Sequence, residues 1–426
     1  MNVPLYIARR ISKSSTGGYS GRIIKLAIAS IALSITVMIL TTAVLYGFKK
    51  GISDKVYGFW GHIHISDTKL SRNFELTPII NDEGIKDSIR SIGYLEFSSF
   101  LEPDKIMETK GGVESISPFI NIPGILVNKD DELEAIILKG VNQEYVWDKF
   151  KSYLRKGVLP AIAKDTVSRE MMISEQTARR MRVNLGDKLI VHFVVDKNPI
   201  KRAFKVSGIY RTGLEEYDQK FAFIDMKVIQ DVLKWDRNQV GGFEVFVEHI
   251  EDSEPIADYV HEEILPSNMY TETILEKFRN MFDWIEMQDI NGYTLFGLMC
   301  IVALINMCTA LLILILERSK MVGILKSLGQ SNWDVRKIFI YNALWILFIA
   351  LLIGNILGIG LGWIQKLTGV IKLDEQSYYL SEVPINFEVS AIIMINLGAI
   401  VMTALVMLIP TFLISTITPI KMLRFD

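Results

Sequence analysis

The chain has 426 residues, of which 50% are hydrophobic and 22% are charged, and its formal net charge is −2. Its mean hydropathy of +0.28 is too high for an ordinary soluble chain and indicates clustered apolar blocks. A net charge near zero argues against a nucleic-acid binder, whose binding face would be basic. Plentiful aliphatic and aromatic residues with only two cysteines exclude a disordered chain, a collagen and a disulfide scaffold.

Four uncharged stretches are long enough to cross a bilayer, since a helix needs about 20 residues to span about 30 Å of hydrocarbon. They are residues 26–48, 290–316, 338–365 and 389–420. Buried core helices are the alternative, but such helices seldom run this far without a charged residue on a wet face. The sequence therefore predicts four membrane spans.

Basic residues predict the orientation of these spans, because cytoplasmic loops of membrane proteins carry an excess of Lys and Arg. They precede the first span, fill the loop between the second and third spans, and follow the fourth span. In that order they are Arg9, Arg10, Lys13, Arg22 and Lys25; Arg318, Lys320, Lys326, Arg336 and Lys337; and Lys421 and Arg424. The loop between the third and fourth spans is mostly acidic, with Asp374, Glu375, Glu382 and Glu388. Both termini and the middle loop are thus predicted to be cytoplasmic.

The predicted fold class is an integral membrane α-helical protein with four spans and a large extracytoplasmic α+β domain between the first and second spans. The first apolar block is longer than the roughly 7–15 residues of a signal-peptide core, so it is predicted to stay as an anchor. The predicted segments are an N-terminal amphipathic segment 1–25, spans 26–48, 290–316, 338–365 and 389–416, the outside domain 49–289, a cytoplasmic loop 317–337, an outside loop 366–388 and a tail 417–426.

The outside domain shows both strand and helix patterns. Alternating patterns predict strands at 62–66, 135–138, 188–195, 203–209, 220–224 and 242–247. Helical periodicity predicts helices at 81–92, 174–181, 226–234 and 256–264, and a helix over 271–284 that continues into the second span. Such continuity would couple movement of the domain to the membrane. Cys300 and Cys308 both lie in the second span, so the domain has no disulfide.

Motifs for catalysis are absent from the sequence. There is no Walker A sequence for nucleotide phosphates and no nucleophile-elbow sequence. His62 and His64 share one face of a predicted strand and would suit a metal, but no carboxylate or thiol stands at ligand spacing, so an ordinary polar strand face is favoured. The spans contain no carboxylate or lysine that would mark an ion path, which weakens a secondary-transporter interpretation. The chain is predicted to be non-catalytic.

The middle cytoplasmic loop carries an amphipathic helix pattern. Met321, Ile324, Leu325 and Leu328 recur at helical spacing and would share one side of a short helix. Gly329 suits a helix C-terminus, and Ser331 with Asp334 suits the cap of the next helix. The helix would either dock into a groove on a cytoplasmic partner or lie flat on lipid headgroups, and the pattern alone leaves both open.

Small and polar residues in the spans predict tight helix packing. Gly354, Gly358 and Gly362 share one face of the third span, where backbones can approach closely. Asn306 lies in the middle of the second span and is expected to hydrogen-bond to a neighbouring helix or a buried water. Pro410 is expected to kink the fourth span near its cytoplasmic end.

Taken together and in order, nine short segments resemble the lipoprotein-releasing ABC permeases of the LolC and LolE type, within the wider MacB/FtsX-like group. Among them are a G-x-H passage after the first span, a V-x-G strand followed by G-x-x-E-Y-D, and a loop similar to E-K-x-x-x-I-x-I-L-x-x-L-G. They are residues 46–48, 61–65, 138–141, 206–210, 213–218, 305–306, 317–329, 378–384 and 418–426.

The resemblance implies a MacB-like domain in the periplasm and a place in the bacterial inner membrane. It further implies that two permease chains pair, each with one of two ABC ATPase subunits, and that ATP and Mg are bound by the ATPase and no cofactor by this chain. The middle loop would be the coupling helix that contacts the ATPase, through Glu317, Arg318, Met321, Gly323, Ile324, Leu325, Lys326, Leu328 and Gly329. The implied substrate is an acylated lipoprotein extracted from the outer leaflet. The implied partners also include membrane lipids and, open at this stage, a periplasmic lipoprotein chaperone, but no nucleic acid.

Extraction of acyl chains requires an apolar cavity to receive them. We expect it between the outer halves of the first and second spans, where the same side chains would otherwise face lipid or another helix. They are Leu40, Val44, Phe48, Leu295, Phe296 and Met299. The chaperone-capturing member of the family has an extended hairpin before the V-x-G strand, whereas the connection 195–202 is short here. In this respect the chain is closer to the partner without that hairpin.

Two alternative functions belong to the same wider group. A MacB-like exporter would push periplasmic substrates through an outer-membrane duct with the same stroke. An FtsX-like regulator would activate a cell-wall hydrolase, but its outside domain is generally smaller than the about 240 residues predicted here.

Overall fold

The computed structural model describes residues 19–68, 76–98, 106–193, 195, 199–374, 378–407 and 410. Its described residues divide into two compact units. The helical unit takes the described residues of Met1–Lys50, Trp284–Lys372 and Glu382–Asp426, and the α+β unit takes those of Gly51–Asp283 and Leu373–Ser381.

Helices and strands alternate through the α+β unit, and long helices make up the other. The helices are α1 Tyr19–Trp60, α2 Glu83–Arg90, α3 Glu175–Arg180, α4 Glu215–Lys220, α5 Met226–Leu233, α6 Ser253–Tyr259, α7 Ile274–Lys277, α8 Arg279–Glu317, α9 Ser319–Ser327, α10 Asn332–Thr368 and α11 Val389–Val406. The strands are β1 Ile63–Asp67, β2 Ile79–Ile80, β3 Glu96–Ser98, β4 Ile106–Glu108, β5 Val113–Val127, β6 Leu133–Val141, β7 Leu154–Gly157, β8 Glu170–Ser174, β9 Lys188–Phe193, β10 Ile200–Tyr210, β11 Phe221–Asp225, β12 Gln239–Val240, β13 Gly242–Val247 and β14 Met269–Thr273.

Helices α1, α8, α10 and α11 are the four helices of the described residues that are long and apolar enough to cross a membrane. Each contains one of the four predicted spans or a large part of it. The end of the fourth predicted span, at 408–409 and 411–416, lies outside the described residues. Pro410 is helical, and the kink expected there involves neighbours that are likewise outside them.

Close contact of α1 and α10 organises the helical unit. A Cβ atom on Gly354 would lie 2.8 Å from the Ala32 carbonyl oxygen, and one on Gly358 would lie 3.1 Å from the Ile39 Cβ. The Thr36 Oγ1 reaches across this contact and donates to the Gly354 carbonyl oxygen at 3.2 Å. Gly362 faces the Phe387 ring instead, 2.5 Å from where its Cβ would be. The glycine face therefore lets two backbones approach where larger residues would hold them apart.

Six strands of the α+β unit form a closed ring of pairings. The order is β5, β6, β11, β8, β10 and β9, and β9 pairs in turn with the second half of β5. The first half of β5 pairs with β13, which continues the sheet through β1 to β14. Alternate residues of these strands, such as Ile65, Leu138 and Val245, fill one apolar core with α2, α5 and α6.

The predicted strands and helices of this unit are confirmed, with one exception. The predicted helix over 271–284 is wrong in its first part, because Thr271 to Thr273 belong to β14, which pairs with β1. Thr273 then caps the short helix α7, and Phe278 interrupts the helix before α8 begins at Arg279. The longest strand, β5, was not predicted, because Pro118 and Pro123 within it are typical of loops or sheet edges.

We expect Gly354→Ala to destabilise the full chain in detergent by about 1–3 kcal/mol, because the added methyl group must push α1 away. Gly360→Ala in the same helix is the matched control, since no atom lies within 4 Å of its added Cβ. Both changes raise helix propensity by about 1 kcal/mol, so the difference between the two melting temperatures reports packing alone. Equal melting temperatures would contradict the α1–α10 contact.

Candidate functional site

Helix α9 is a short helix that begins after a break at Arg318 and ends before Gly329. Gly329, with φ of +87°, ends it in the left-handed conformation. The Gly329 and Gln330 N–H groups donate to the carbonyl oxygens of Lys326 and Leu325, each at 3.1 Å. The Ser331 Oγ accepts the Asp334 N–H at 3.1 Å and so caps α10. The predicted C-terminus at Gly329 and the predicted Ser331 cap are both confirmed, so Gly329 ends α9 and Ser331 begins α10.

The two sides of α9 have different environments. Val322 is buried, and Met321 and Leu325 pack against Ile338 of α10. Ile324 and Leu328 point the other way and are 49% and 76% exposed. The four-residue apolar face expected from the sequence is therefore divided into an inner pair, which anchors the helix, and an outer pair.

We call the outward side of this loop the α9 surface. Its members are exposed and lie within one arc of the helix and of the turn before it. They are Leu316, Glu317, Lys320, Ile324, Ser327 and Leu328. An apolar pair bordered by charged and polar side chains is the usual composition of a protein interface. Of the other residues expected to couple, Gly323 is buried, Arg318 and Lys326 are half-buried, and Gly329 is exposed.

The residues expected to receive acyl chains lie along α1 and α8. Leu40, Val44 and Phe48 are half-buried on α1, and the Phe48 ring lies 6.2 Å from the Trp284 ring, centroid to centroid. The Nζ of the next residue, Lys49, lies 3.3 Å from the Asp289 Oδ2 of α8. On α8, Leu295 is exposed. Two further members of the set are partly buried against the helical core: Phe296 and Met299.

A small apolar cavity of about 20 Å³ lies deeper in the same bundle. Ile31, Ile35, Cys300 and Leu347 are among its lining residues, and none of the six expected residues is. That volume holds about one water-sized group. An acyl chain would therefore need the helices to separate.

Amide side chains connect the helices of the bundle. The Asn306 Nδ2 donates to the Ser30 Oγ of α1 at 2.6 Å. Of the two expected partners, a neighbouring helix and a buried water, the amide therefore bonds to a helix. Asn355 of α10 and Asn396 of α11 form a reciprocal pair, with Nδ2 to Oδ1 distances of 2.7 and 3.0 Å. The sequence analysis missed this second pair, although two asparagines within apolar spans were the visible signal.

The C-terminal end of α1 lies inside the α+β unit and is bonded by buried side chains. The Lys139 Nζ donates to the Phe59 carbonyl oxygen at 2.9 Å, and the His64 Nε2 lies 2.7 Å from the Trp60 carbonyl oxygen. The Glu244 Oε1 lies 2.6 Å from the Lys139 Nζ and 3.6 Å from the His64 Nε2. We call Lys139, Glu244, His64 and Lys277 the capping cluster. The first three are at most 4% exposed.

Burial and charge decide the protonation states in the capping cluster. Burial lowers the pKa of Lys139 and raises the pKa of Glu244, and the ion pair between them opposes both shifts. Burial, with the neighbouring Lys277 and Lys139, lowers the pKa of His64 well below its ordinary value. Lys277 donates to the His64 Nδ1 at 3.2 Å, which leaves the proton on Nε2 facing the Trp60 carbonyl oxygen. His64 is therefore a neutral donor to the helix end.

His62 is buried as well. Its Nδ1 accepts the Val247 N–H at 2.8 Å, and burial, with the nearby Lys149, lowers its pKa to about 4. The predicted polar strand face is wrong for both histidines, because the last turn of α1 covers this part of the sheet. Within the described residues no group of three or more His, Cys, Asp or Glu side chains could hold a metal ion.

Aromatic rings enclose the end of α1. The Phe59 ring stacks on Tyr217 at 5.1 Å and meets Phe221 and Phe223 edge-on at 5.3 and 5.6 Å. The Asp218 carboxylate accepts the N–H groups of Thr212 and Gly213, each at 3.1 Å, and so fixes the turn before Tyr217. The sequence segments 61–65, 138–141 and 213–218 therefore meet at one place, which no periodicity in the sequence indicated.

We expect the protein to become less stable as the pH is lowered, because of His62. Its pKa falls on folding from 6.5 to about 4, so between these values the unfolded chain binds a proton that the folded chain does not. Its contribution is complete above pH 6.5 and is lost as the pH falls through this window, by up to about 1.4 kcal/mol per pH unit. His62→Asn keeps an acceptor for Val247 without titrating.

The measurement is the melting temperature of the full chain in detergent at pH 7 and pH 5. The drop between the two pH values should be smaller for His62→Asn than for the native chain. His261→Asn, at an exposed position, is the control and should leave the drop unchanged. A His62→Asn variant that keeps the full drop would contradict the assignment.

Comparison with known proteins relates both units to known families. Residues 26–262 match the family described as MacB-like periplasmic core domain, and residues 293–419 match FtsX-like permease C-terminal. The lipoprotein-releasing system transmembrane protein LolC of Xylella fastidiosa is 22% identical over 443 residues, covering 99% of each chain. The LolC of Haemophilus influenzae is 23% identical over 441 residues and 100% of each chain.

A protein named LolE is also similar. The lipoprotein-releasing system transmembrane protein LolE of Haemophilus influenzae is 21% identical over 458 residues, covering 99% of each chain. These matches confirm the resemblance drawn from the short sequence segments. Because the MacB-like match covers more than half of its length, the chain belongs to the MacB-like periplasmic core domain family, with an FtsX-like permease segment following that domain.

Proposed function

We propose that this chain is the permease subunit of an ABC transporter that extracts acylated lipoproteins from the outer leaflet of the inner membrane for delivery to the outer membrane. ATP hydrolysis by a separate ATPase subunit drives the extraction. The observation that carries the proposal is similarity over the whole chain, rather than over one domain, to proteins named as lipoprotein-releasing. The MacB-like exporter and the FtsX-like regulator are not favoured, because those names match separate parts of the chain.

The energetics of the cargo explain why an ATPase is needed. Each methylene of an acyl chain in the bilayer is stabilised by about 0.8 kcal/mol, so several chains hold a lipoprotein with tens of kcal/mol. A non-catalytic chain cannot supply that energy. We therefore assign ATP and Mg to the partner ATPase and a mechanical role to this chain.

The α9 surface is the proposed contact with the ATPase. Ile324 and Leu328 are exposed in a loop whose basic residues predict a cytoplasmic location, and Met321 and Leu325 pack against α10. A helix anchored on one side can pass a displacement of its other side into the bundle. The ATPase would press on Ile324 and Leu328, and α8 and α10 on either side of α9 would follow.

The proposed acyl path lies between α1 and α8. Leu40, Val44 and Phe48 follow one another at four-residue spacing on α1, and Leu295, Phe296 and Met299 occupy the corresponding part of α8. Opening this path requires breaking the contact of Phe48 with Trp284 and the Lys49–Asp289 ion pair. The Lys49–Asp289 ion pair is partly exposed, so it opposes separation weakly.

The proposed topology has both termini in the cytoplasm, the α+β unit in the periplasm between the first two spans, and the chain in the bacterial inner membrane. The proposed complex holds a second permease chain, the same or a paralogue, and two ATPase subunits. Strands β9 and β10 pair with each other, and the pair nearest their connection is Phe193 with Ile200. Within this connection, residues 194 and 196–198 lie outside the described residues. Because this connection is short, we do not assign capture by a periplasmic carrier to this chain.

The test of the function is reconstitution of the complex in proteoliposomes with a labelled acylated protein. We expect ATP-dependent release with the native chain, and a loss of at least tenfold with Ile324→Asp combined with Leu328→Asp, because two carboxylates would be buried at the ATPase contact. Stimulated ATPase activity and co-purification of the ATPase should fall together with release.

Leu133→Asp is the matched control for this variant. Leu133 is 68% exposed and lies in the α+β unit, so the same chemical change there should leave release and ATPase activity unchanged. Release that persists in the double variant would refute the coupling role of α9. A native complex that hydrolyses ATP without releasing the acylated protein would refute the proposed function.

The proposed topology predicts which cysteines an impermeant maleimide can reach. In a chain carrying Cys300→Ala and Cys308→Ala, we expect Val158→Cys to be labelled in intact spheroplasts. Val158 is 64% exposed in the α+β unit. Ser327→Cys, on the α9 surface, should be labelled only after lysis. Labelling in the reverse order would overturn the orientation.

A further inference from the structure

We infer that Lys139 and His64 are positioning residues of the transport cycle. They hold the C-terminal end of α1 on the sheet of the α+β unit, so that a displacement of this helix moves the sheet with it. The inference rests on the proposed function and deepens it, because it names the residues through which the membrane helix moves the domain.

The first step is the bonding of the helix end. The last carbonyl groups of a helix have no partner within the helix and usually turn to water or to a local turn. Here the Tyr57 carbonyl oxygen is bonded by a backbone group, the Gly61 N–H at 2.8 Å. Phe59 and Trp60 instead bond to Lys139 of β6 and His64 of β1. The helix end is therefore tied to two separate strands.

The second step is the set of cation–π interactions between the Lys139 ammonium group and the surrounding aromatic rings. Its Nζ lies 5.2 Å from the centroid of the Phe59 ring and 5.4 Å from that of the Trp60 ring. Tyr145 and Phe223, from the sheet side, are at 5.3 and 5.6 Å. A desolvated cation attracts each of these rings. Lys139 thus holds the helix end through a carbonyl group and two rings at once.

The third step is the cost of this arrangement. Burying a lysine and a carboxylate is expensive, and an apolar pair of similar volume is often as stable or more stable. Met at both positions would fill the space of Lys139 and Glu244 without donating to the Phe59 carbonyl oxygen. Stability of the sheet alone therefore does not require the pair, whereas a fixed helix end does.

The second membrane helix meets the same cluster where it begins. Lys277, in the last turn of α7, bonds to His64, and the adjacent Phe278 ring lies 6.0 Å from the Trp60 ring. Phe282 of α8 stacks on Tyr57 of α1 at 5.8 Å. The end of α1 and the start of α8 are held by one group of side chains, so the two helices can act on the sheet together.

The test compares two ion pairs of the α+β unit, each with a fully buried lysine and each replaced by methionines. Lys139→Met with Glu244→Met removes the pair at the helix end. Lys86→Met with Glu144→Met is the matched control, because Lys86 is also fully buried and pairs with Glu144 at 3.1 Å on helix α2, without touching α1. Both variants are studied in the reconstituted complex.

Two quantities are measured on each complex. The first is the acylated protein released per ATP hydrolysed, and the second is hydrogen exchange of the peptide covering residues 57–65. With Lys139→Met/Glu244→Met we expect ATP hydrolysis to continue, release per ATP to fall at least fivefold, and exchange of that peptide to rise at least fivefold. The Lys86→Met/Glu144→Met control should match the native complex in both.

A conservative pair of variants separates positioning from folding. His64→Gln keeps an N–H donor near the Nε2 position and should retain release per ATP, whereas His64→Leu should lose it at a similar melting temperature. Native release per ATP in Lys139→Met/Glu244→Met, or an equal loss in the Lys86→Met/Glu144→Met control, would overturn the inference. If the native complex releases nothing, the proposed function fails, and unchanged exchange at 57–65 would then overturn the positioning role separately.

Discussion

A membrane helix that ends inside a folded domain brings polar backbone groups into an apolar place, and these groups must be bonded there. The end of α1 is such a place, because Phe59 is fully buried and Trp60 is nearly so. Water cannot reach the last carbonyl groups, and only long polar side chains from the sheet can. Lys139 and His64 meet this requirement from two strands. The burial of Lys139 and Glu244 follows from this one constraint, since Glu244 is needed once Lys139 is buried.

Features that depend on neighbouring residues could be predicted from the sequence, whereas features that depend on contacts between distant elements could not. Apolar runs predict the long helices, because a span has to be apolar along its whole length whatever it packs against. The caps at Gly329 and Ser331 were also predictable, since capping depends on residues within one turn. His62 and His64 were assigned to a polar strand face because alternation alone cannot tell which element covers a sheet. The role of Lys139 depends on a helix that ends about 80 positions away in the sequence.

Strand β5 and helix α9 illustrate two different limits of sequence patterns. Pro118 and Pro123 suggest a loop, yet pairing with β13 in the first part of β5 and with β6 from Phe119 to Val127 overrides this local preference. In α9 the helical period predicts that Met321, Ile324, Leu325 and Leu328 share one side of the helix. It does not predict how many of these side chains a neighbouring helix buries. Contact with Ile338 of α10 covers two of the four and leaves Ile324 and Leu328 exposed.

Helix α9 and the C-terminal end of α1 are both held in place by side chains that pack or bond against a neighbouring element. Helix α9 is held against α10 by its inner pair, and its outer pair is exposed. Helix α1 runs for 42 residues without a break, and its last turn is bonded to the sheet rather than to water. A flexible connection at either end would absorb a displacement of a few ångströms before it reached the cargo. The expensive buried ion pair is therefore best understood as the means by which this protein keeps a polar helix end rigid in an apolar environment.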